Sequence, residues 1–208
     1  MKHKLALLGG TFDPVHIGHL CMAEWVLQSL GLERVLFVPA AVPPHKFHLI
    51  TPAAHRLEML RLALAGNPAF ELSTVELERS GPSYTLHTLQ HFASASPQTQ
   101  LWWVIGLDSL LNLHSWYGYE QFPAYARLAV IPRPNQQLAQ RAEIDAHIRA
   151  RLPAFVSVID WIDMPRLEIA SSAIRTWLGQ GLSCRYLLPA AVWDYLQAQE
   201  LYRPKSGL

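Results

Sequence analysis

Two histidines three residues apart, His16 and His19, follow the glycine pair Gly9-Gly10 in the segment GGTFDPVHIGHL. Imidazoles at that spacing, at the start of a helix, can both point toward one phosphate chain. Paired glycines let backbone N–H groups approach a ligand closely, and a helix N-terminus favours an anion. Thr11 adds a hydroxyl and an amide to the same turn, while Asp13-Pro14 reads as shaping it, since Asp bonds nearby backbone groups. These residue types point to the handling of phosphates.

Further clusters lie along the chain. In IASSAIR (Ile169 to Arg175), Ser171 and Ser172 are candidate helix caps that leave amides free for an anion, with Arg175 about one turn in. In Val42-Pro43-Pro44-His45-Lys46, two prolines stiffen the approach of a movable point charge, Lys46. Ser83-Tyr84-Thr85 opens a helix whose amides can accept a carboxylate. Gly106-Leu107-Asp108 follows a strand, where Asp108 can bond a ribose hydroxyl. Trp116 and Tyr117 stand in HSWY, and aromatic faces favour flat, electron-poor rings. Arg133, in IPRP, reads equally as a ligand contact or a structural ion pair. His87 and His91 lie four apart on a predicted helix without an acidic or cysteine partner, so they are not read as a metal site.

The twelve-residue run GGTFDPVHIGHL resembles the signature of the nucleotidyltransferase superfamily and is most similar to the bacterial nicotinate-mononucleotide adenylyltransferases. The resemblance implies transfer of the adenylyl group from ATP to nicotinate mononucleotide, with Mg2+ carried by ATP and pyrophosphate released, in NAD synthesis. It implies that His19 contacts the α-phosphate and stabilises the transition state, that His16 reaches the phosphate chain, and that Lys46 meets the phosphate of the mononucleotide. Arg175 would hold ATP phosphates, as in the family's I-S-S-T-x-x-R motif. Here Ala170 replaces the first serine of that motif and Ser172 stands where threonine is usual. His16, His19, Lys46 and Arg175 are thus the candidate catalytic set. Gly9, Gly10, Thr11, Phe12, Ser171 and Ser172 join His16, His19 and Arg175 on the ATP side. Lys46, Thr85, Gly106, Asp108, Trp116, Tyr117 and Arg133 form the mononucleotide side, with Trp116 matching the tryptophan that stacks on the pyridine ring. Such a reaction needs positioned charge and no Ser or Cys nucleophile. Two alternatives stand beside it: a nucleotidyltransferase with another acceptor, such as the amidated mononucleotide, and a nucleotide-binding protein without turnover. The letters HIGH also resemble the class I aminoacyl-tRNA synthetase signature, but no lysine-rich loop accompanies them.

The elements that must position these residues alternate. Strands are predicted at Leu5–Leu8, Val35–Val38, Phe70–Ser73, Leu101–Ile105, Leu128–Ile131 and Val156–Ile159. Helices are predicted at Gly18–Leu30, Pro52–Ala65, Tyr84–Ala95, Gln137–Arg151, Ser172–Leu178 and Ala190–Gln199. Continuous apolar strands alternating with helices predict a Rossmann-like, doubly wound parallel α/β sheet with helices on both faces and a small C-terminal helical part. The 208 residues fit one domain, 1–208. A net charge of +1 gives no basic field for nucleic acid, and no apolar run approaches a membrane span. Cys21 and Cys184 are too few and too far apart for a zinc motif or disulfide framework. A cytoplasmic enzyme is expected, with a homo-oligomer possible.

Overall fold

The structure, a computed structural model, describes residues 3–42, 51–132, 138–165 and 167–203. Six strands form one sheet: β1 (Lys4–Gly10), β2 (Arg34–Pro39), β3 (Phe70–Leu72), β4 (Gln100–Gly106), β5 (Ala126–Ile131) and β6 (Ile159–Trp161). Their order is β3-β2-β1-β4-β5-β6, and every pairing is parallel. Seven α-helices connect and cover them: α1 (Ile17–Leu30), α2 (Ala53–Leu64), α3 (Thr85–Ala95), α4 (Leu107–Leu111), α5 (Leu138–Arg151), α6 (Ser171–Gly179) and α7 (Ala190–Ala198).

Alternation along the strands sorts the core into two faces. Ala6, Leu8, Val35, Phe37 and Val104 pack toward α1, α2, α6 and α7, through Val26, Met59, Ile174 and Val192 among others. Leu5, Leu7, Leu36, Trp103 and Ile105 pack toward α3, α4 and α5, through Leu89, Leu110 and Ile148. With both faces covered, the strands need no polar side, which is why they read as apolar runs. Chain order reverses between β1 and β4. That crevice, at the carboxyl ends of the strands, is where open α/β sheets bind ligands.

Two sequence expectations are corrected. The last strand is Ile159–Trp161, not Val156–Ile159. Residues 156–158 form a turn after a 3-10 segment at Pro153–Phe155, and Val156 is exposed. The strand admits Asp160, an unlikely strand residue by pattern, because Trp102 Nε1 and Arg127 Nε donate to Asp160 Oδ2 at 2.8 and 2.7 Å. The final helix stops at Ala198, one residue before the expected Gln199. Glu200 and Tyr202 take left-handed backbone angles, which turns the chain back over the body of the protein. The short helix α4 has no sequence counterpart, since five residues are too few to show a helical period. Among the described residues, no helix is long and apolar enough to cross a membrane.

Candidate active site

The turn between β1 and α1 is held from behind at the carbonyls of Thr11, Asp13 and Pro14. Arg56, buried in α2, donates from Nη1 to Thr11 O and Ala40 O, both at 2.8 Å, and from Nε to Thr51 O at 3.0 Å. Arg175 Nη1 donates to Asp13 O at 2.6 Å, and the Ser171 hydroxyl donates to Pro14 O at 2.9 Å. The buried Asp13 carboxylate accepts from the Tyr202 hydroxyl and, at 3.3 Å, from the Thr51 main-chain N–H. Burial lowers the Arg56 pKa, and the nearby Asp13 charge opposes that effect. Burial raises the Tyr202 pKa, and the Asp13 carboxylate raises it further, so the hydroxyl stays protonated and donates. These anchors leave the turn no freedom to collapse onto its own amides.

Within the turn, Phe12 adopts φ 51°, unusual for a residue that is not glycine. Its ring is buried, edge-on to His19 at a centroid distance of 5.0 Å and against Phe37 at 5.8 Å. Only its main chain therefore remains for phosphate. His16 caps α1 with extended backbone, and its N–H donates to His19 Nδ1 at 3.2 Å. The two imidazoles stack with centroids 3.7 Å apart. His16 is 4% exposed, and burial lowers its pKa from 6.5 to about 4, so it is neutral at pH 7. Its Nδ1 is buried without a hydrogen-bond partner. Gly18 makes room for that ring: a Cβ there would lie 3.0 Å from His16 Nδ1 and 3.5 Å from Ile169 Cβ.

That last contact shows how closely the start of α1 approaches the segment leading into α6. Ser171 and Ser172 do not cap α6. Ala170, extended at φ −130°, holds the N-cap position and offers no side-chain oxygen. The serine-cap expectation fails because the Ser171 hydroxyl is spent on Pro14 O; Ser172 is exposed. The alanine leaves the helix end without a competing internal cap. Two helix N-termini, neither with an acidic residue in its first turn, thus flank one anchored turn, and their fields add for an anion.

A cavity of about 430 Å³ opens beside this turn, a size within the range of small-molecule sites. It brings together Gly9, Gly10, Thr11 and His19 with Thr85, Gly106, Trp116 and Tyr117. Tyr117 stacks on Tyr84 with centroids 4.5 Å apart, extending an aromatic wall. Asp108 is exposed in the first turn of α4, beside the lining residues Gly106 and Ser109. His16, Phe12, Ser171, Ser172 and Arg175 stand outside the cavity wall. Lys46 and Arg133 lie outside the described residues. Sequence reasoning missed Glu76, Trp103 and Met22 in the wall and Arg56 behind it. Trp103 reads as core by pattern. Yet its ring lies so close over Gly9 that a Cβ there would come within 2.3 Å of it. The glycine pair was the available signal for such an approach.

A glycine turn, an imidazole and two helix ends at the switch point of a parallel sheet define a nucleotide-handling site of the nucleotidyltransferase class. The chain belongs to the cytidylyltransferase-like family, which matches residues 7–177. At finer grain, it is 40% identical over 200 residues to a protein of Symbiobacterium thermophilum named "probable nicotinate-nucleotide adenylyltransferase", covering 96% of this chain and 95% of that one. A protein of the same name from Thermomicrobium roseum is 41% identical over 207 residues, covering 99% and 94%. The fold is shared with the nicotinic acid mononucleotide adenylyltransferase of Plasmodium falciparum complexed with NaAD, at TM-score 0.78 and 18% identity over 96% of this chain and 97% of that one. Tyr202, which holds Asp13, lies beyond the span matched by the family.

Proposed function

We propose that this enzyme joins ATP and nicotinate mononucleotide to give the deamido dinucleotide and pyrophosphate in NAD biosynthesis, its 208 residues acting as one nucleotidyltransferase domain. One observation carries the reading: His19 and the glycine turn share a single cavity with Thr85 and the aromatic wall of Trp116 and Tyr117. Phosphate chemistry and recognition of a flat ring thus meet in one place.

In this reading a phosphate oxygen of the mononucleotide attacks the α-phosphorus of ATP. A new P–O bond forms, the bond to the bridging oxygen breaks, and pyrophosphate leaves with the electron pair. The attacking phosphate is already ionised near neutral pH, so no general base is needed. His19 accepts at Nδ1 from the His16 N–H, which leaves the proton of the neutral ring on Nε2 to donate to the α-phosphate. The buried, unpaired Nδ1 of His16 is a group that a phosphate oxygen would satisfy. Arg175 and the amides opening α1 and α6 stabilise the charge that builds on the leaving group, and Lys46 holds the acceptor phosphate. Thr85 and Tyr117 face the ring's carboxylate and Trp116 stacks on the ring. Gly106 and Asp108 serve the ribose, and Arg133 completes that side.

Among the described residues no group of three or more His, Cys, Asp or Glu side chains could hold a metal ion. In this reading Mg2+ arrives on the phosphates of ATP with waters completing its shell, where it would supply charge neutralisation. The use of ATP and a mononucleotide supports a cytoplasmic site of action.

The test is pyrophosphate release with ATP and Mg2+, comparing nicotinate mononucleotide, its amide and no acceptor. Release with the acid, and little with the amide, is the expected result. Strong preference for the amide would overturn the substrate assignment, and ATP binding without release would overturn the enzymatic one.

A further inference from the structure

Glu76 is a buried carboxylate in an irregular segment between β3 and α3, an expensive place for a charge unless it is bonded. The Thr88 hydroxyl, one turn into α3, donates to Glu76 Oε1 at 2.5 Å. The Ser83 side chain, in the loop that opens α3, lies close enough to the same carboxylate to favour its charged form. The Ser83 oxygen also accepts from the Ala41 N–H at 2.9 Å and the Val42 N–H at 3.4 Å, and the Ser83 N–H donates to Val42 O at 3.0 Å. Glu76 thus stands between Thr88 of α3, to which it is hydrogen-bonded, and Ser83, which is bonded to the main chain at the end of β2. Burial raises the Glu76 pKa, while these hydroxyls and Arg79 favour the charged form.

These contacts set two chain segments against each other. One is residues 40–42, which lead toward Lys46. The other is Tyr84-Thr85, at the N-terminus of α3, where no side chain caps the first amides and no acidic residue stands in the first turn. Ala40, Ser83, Tyr84, Thr85 and Glu76 all line the cavity. Among the described residues, Glu76, Ser83 and Thr88 make no hydrogen bond to the turn at Asp13 or to the start of α6, where the ATP phosphates are read to lie; the end of β2 meets that turn separately, through Ala40 N–H to Gly10 O at 2.9 Å and through Arg56.

We infer that Glu76 is a positioning residue for the acceptor mononucleotide, holding the amide-bearing end of α3 in register with the end of β2 through Ser83 and Thr88. This rests on the reaction proposed above. A pre-set pair of walls lowers the ordering cost of binding the acceptor, while the turn after β1 keeps its own anchors in Arg56, Arg175 and Ser171.

The experiment measures steady-state kinetics of the wild type, Glu76→Gln, Glu76→Ala and Thr88→Val with both substrates varied, alongside thermal melts. Wild-type turnover tests the reaction itself, so a silent wild type overturns that reading, and this inference with it. Given turnover, Glu76→Ala raises KM for the acceptor about tenfold or more, with KM for ATP and kcat within about threefold. Glu76→Gln, which keeps one carbonyl acceptor, falls between. Thr88→Val, which leaves the carboxylate in place, raises the acceptor KM in the same direction and covers the case in which Glu76→Ala does not fold. Three results would overturn the inference: an acceptor KM unchanged in the folded variants, both KM values rising together, or an acceptor KM that falls because the charge merely opposed an anion.

Discussion

The His16 main-chain N–H donates to Nδ1 of His19 across 3.2 Å, while the two rings stack 3.7 Å apart. The backbone of one histidine thereby sets the tautomer of the other and leaves its ring proton on Nε2. His19→Ala lowers kcat by about 10²–10³-fold, the range for removing one preorganised donor, with the fold retained. His19→Gln, whose amide nitrogen reaches toward the place of Nε2, recovers part of that loss. Single-turnover rates with saturating substrates, checked beside circular dichroism, measure both; an unchanged kcat in the alanine variant removes His19 from the mechanism.

His16 gives a signed pH dependence. Its folded pKa of about 4 lies below the ordinary 6.5, so between these values the unfolded chain binds the extra proton. Stability is therefore full above pH 6.5 and declines as pH falls toward 4, by about 3 kcal/mol for this group. Urea unfolding of the wild type and His16→Asn at pH 7, 5.5 and 4.5 checks it. The wild type should lose stability more steeply than the variant, and parallel curves would refute the assignment.

Arg56 ties the ends of β1 and β2 through the carbonyls of Thr11, Ala40 and Thr51. Arg56→Met buries a thioether in place of the guanidinium, strands those acceptors and removes a positive charge near Asp13, which keeps only the partly exposed Arg175 at 3.9 Å. The expected loss is about 3–5 kcal/mol of unfolding free energy. Lysine offers one point charge instead of a planar fork and should restore only a minor part. Equilibrium urea denaturation of the three proteins decides it.

Gly9 and Trp103 are coupled by contact, since a Cβ on Gly9 would lie 2.3 Å from the indole ring. Gly9→Ala should cost about 1–3 kcal/mol by overpacking. Combined with Trp103→Leu, it should cost much less than the two changes added. A double-mutant cycle in thermal or urea unfolding measures that non-additivity, and simple additivity would show that the ring moves aside freely.

The sequence determined the six-strand, helix-covered plan, five of its six strands, and the turn from Gly9 to His19. These are local properties: apolar periodicity, glycine conformation and the start of a helix are all encoded within a few residues. The C-terminal helix and the arginine-bearing segment were also legible, though not the fact that Ala170, rather than a serine, sits at the N-cap of α6. Only the tertiary structure decided what holds the site. Arg56 is hidden in the sequence among the ordinary residues of an amphipathic helix, and its buried fork appears only once three loops close around it. Tyr202 meets Asp13 across 189 positions, and Glu76 accepts from Thr88 out of a stretch with no period to read. Such partners are chosen by which surfaces the sheet order brings together and by which buried polar atoms then lack water. Neither condition is written in the spacing of neighbouring residues.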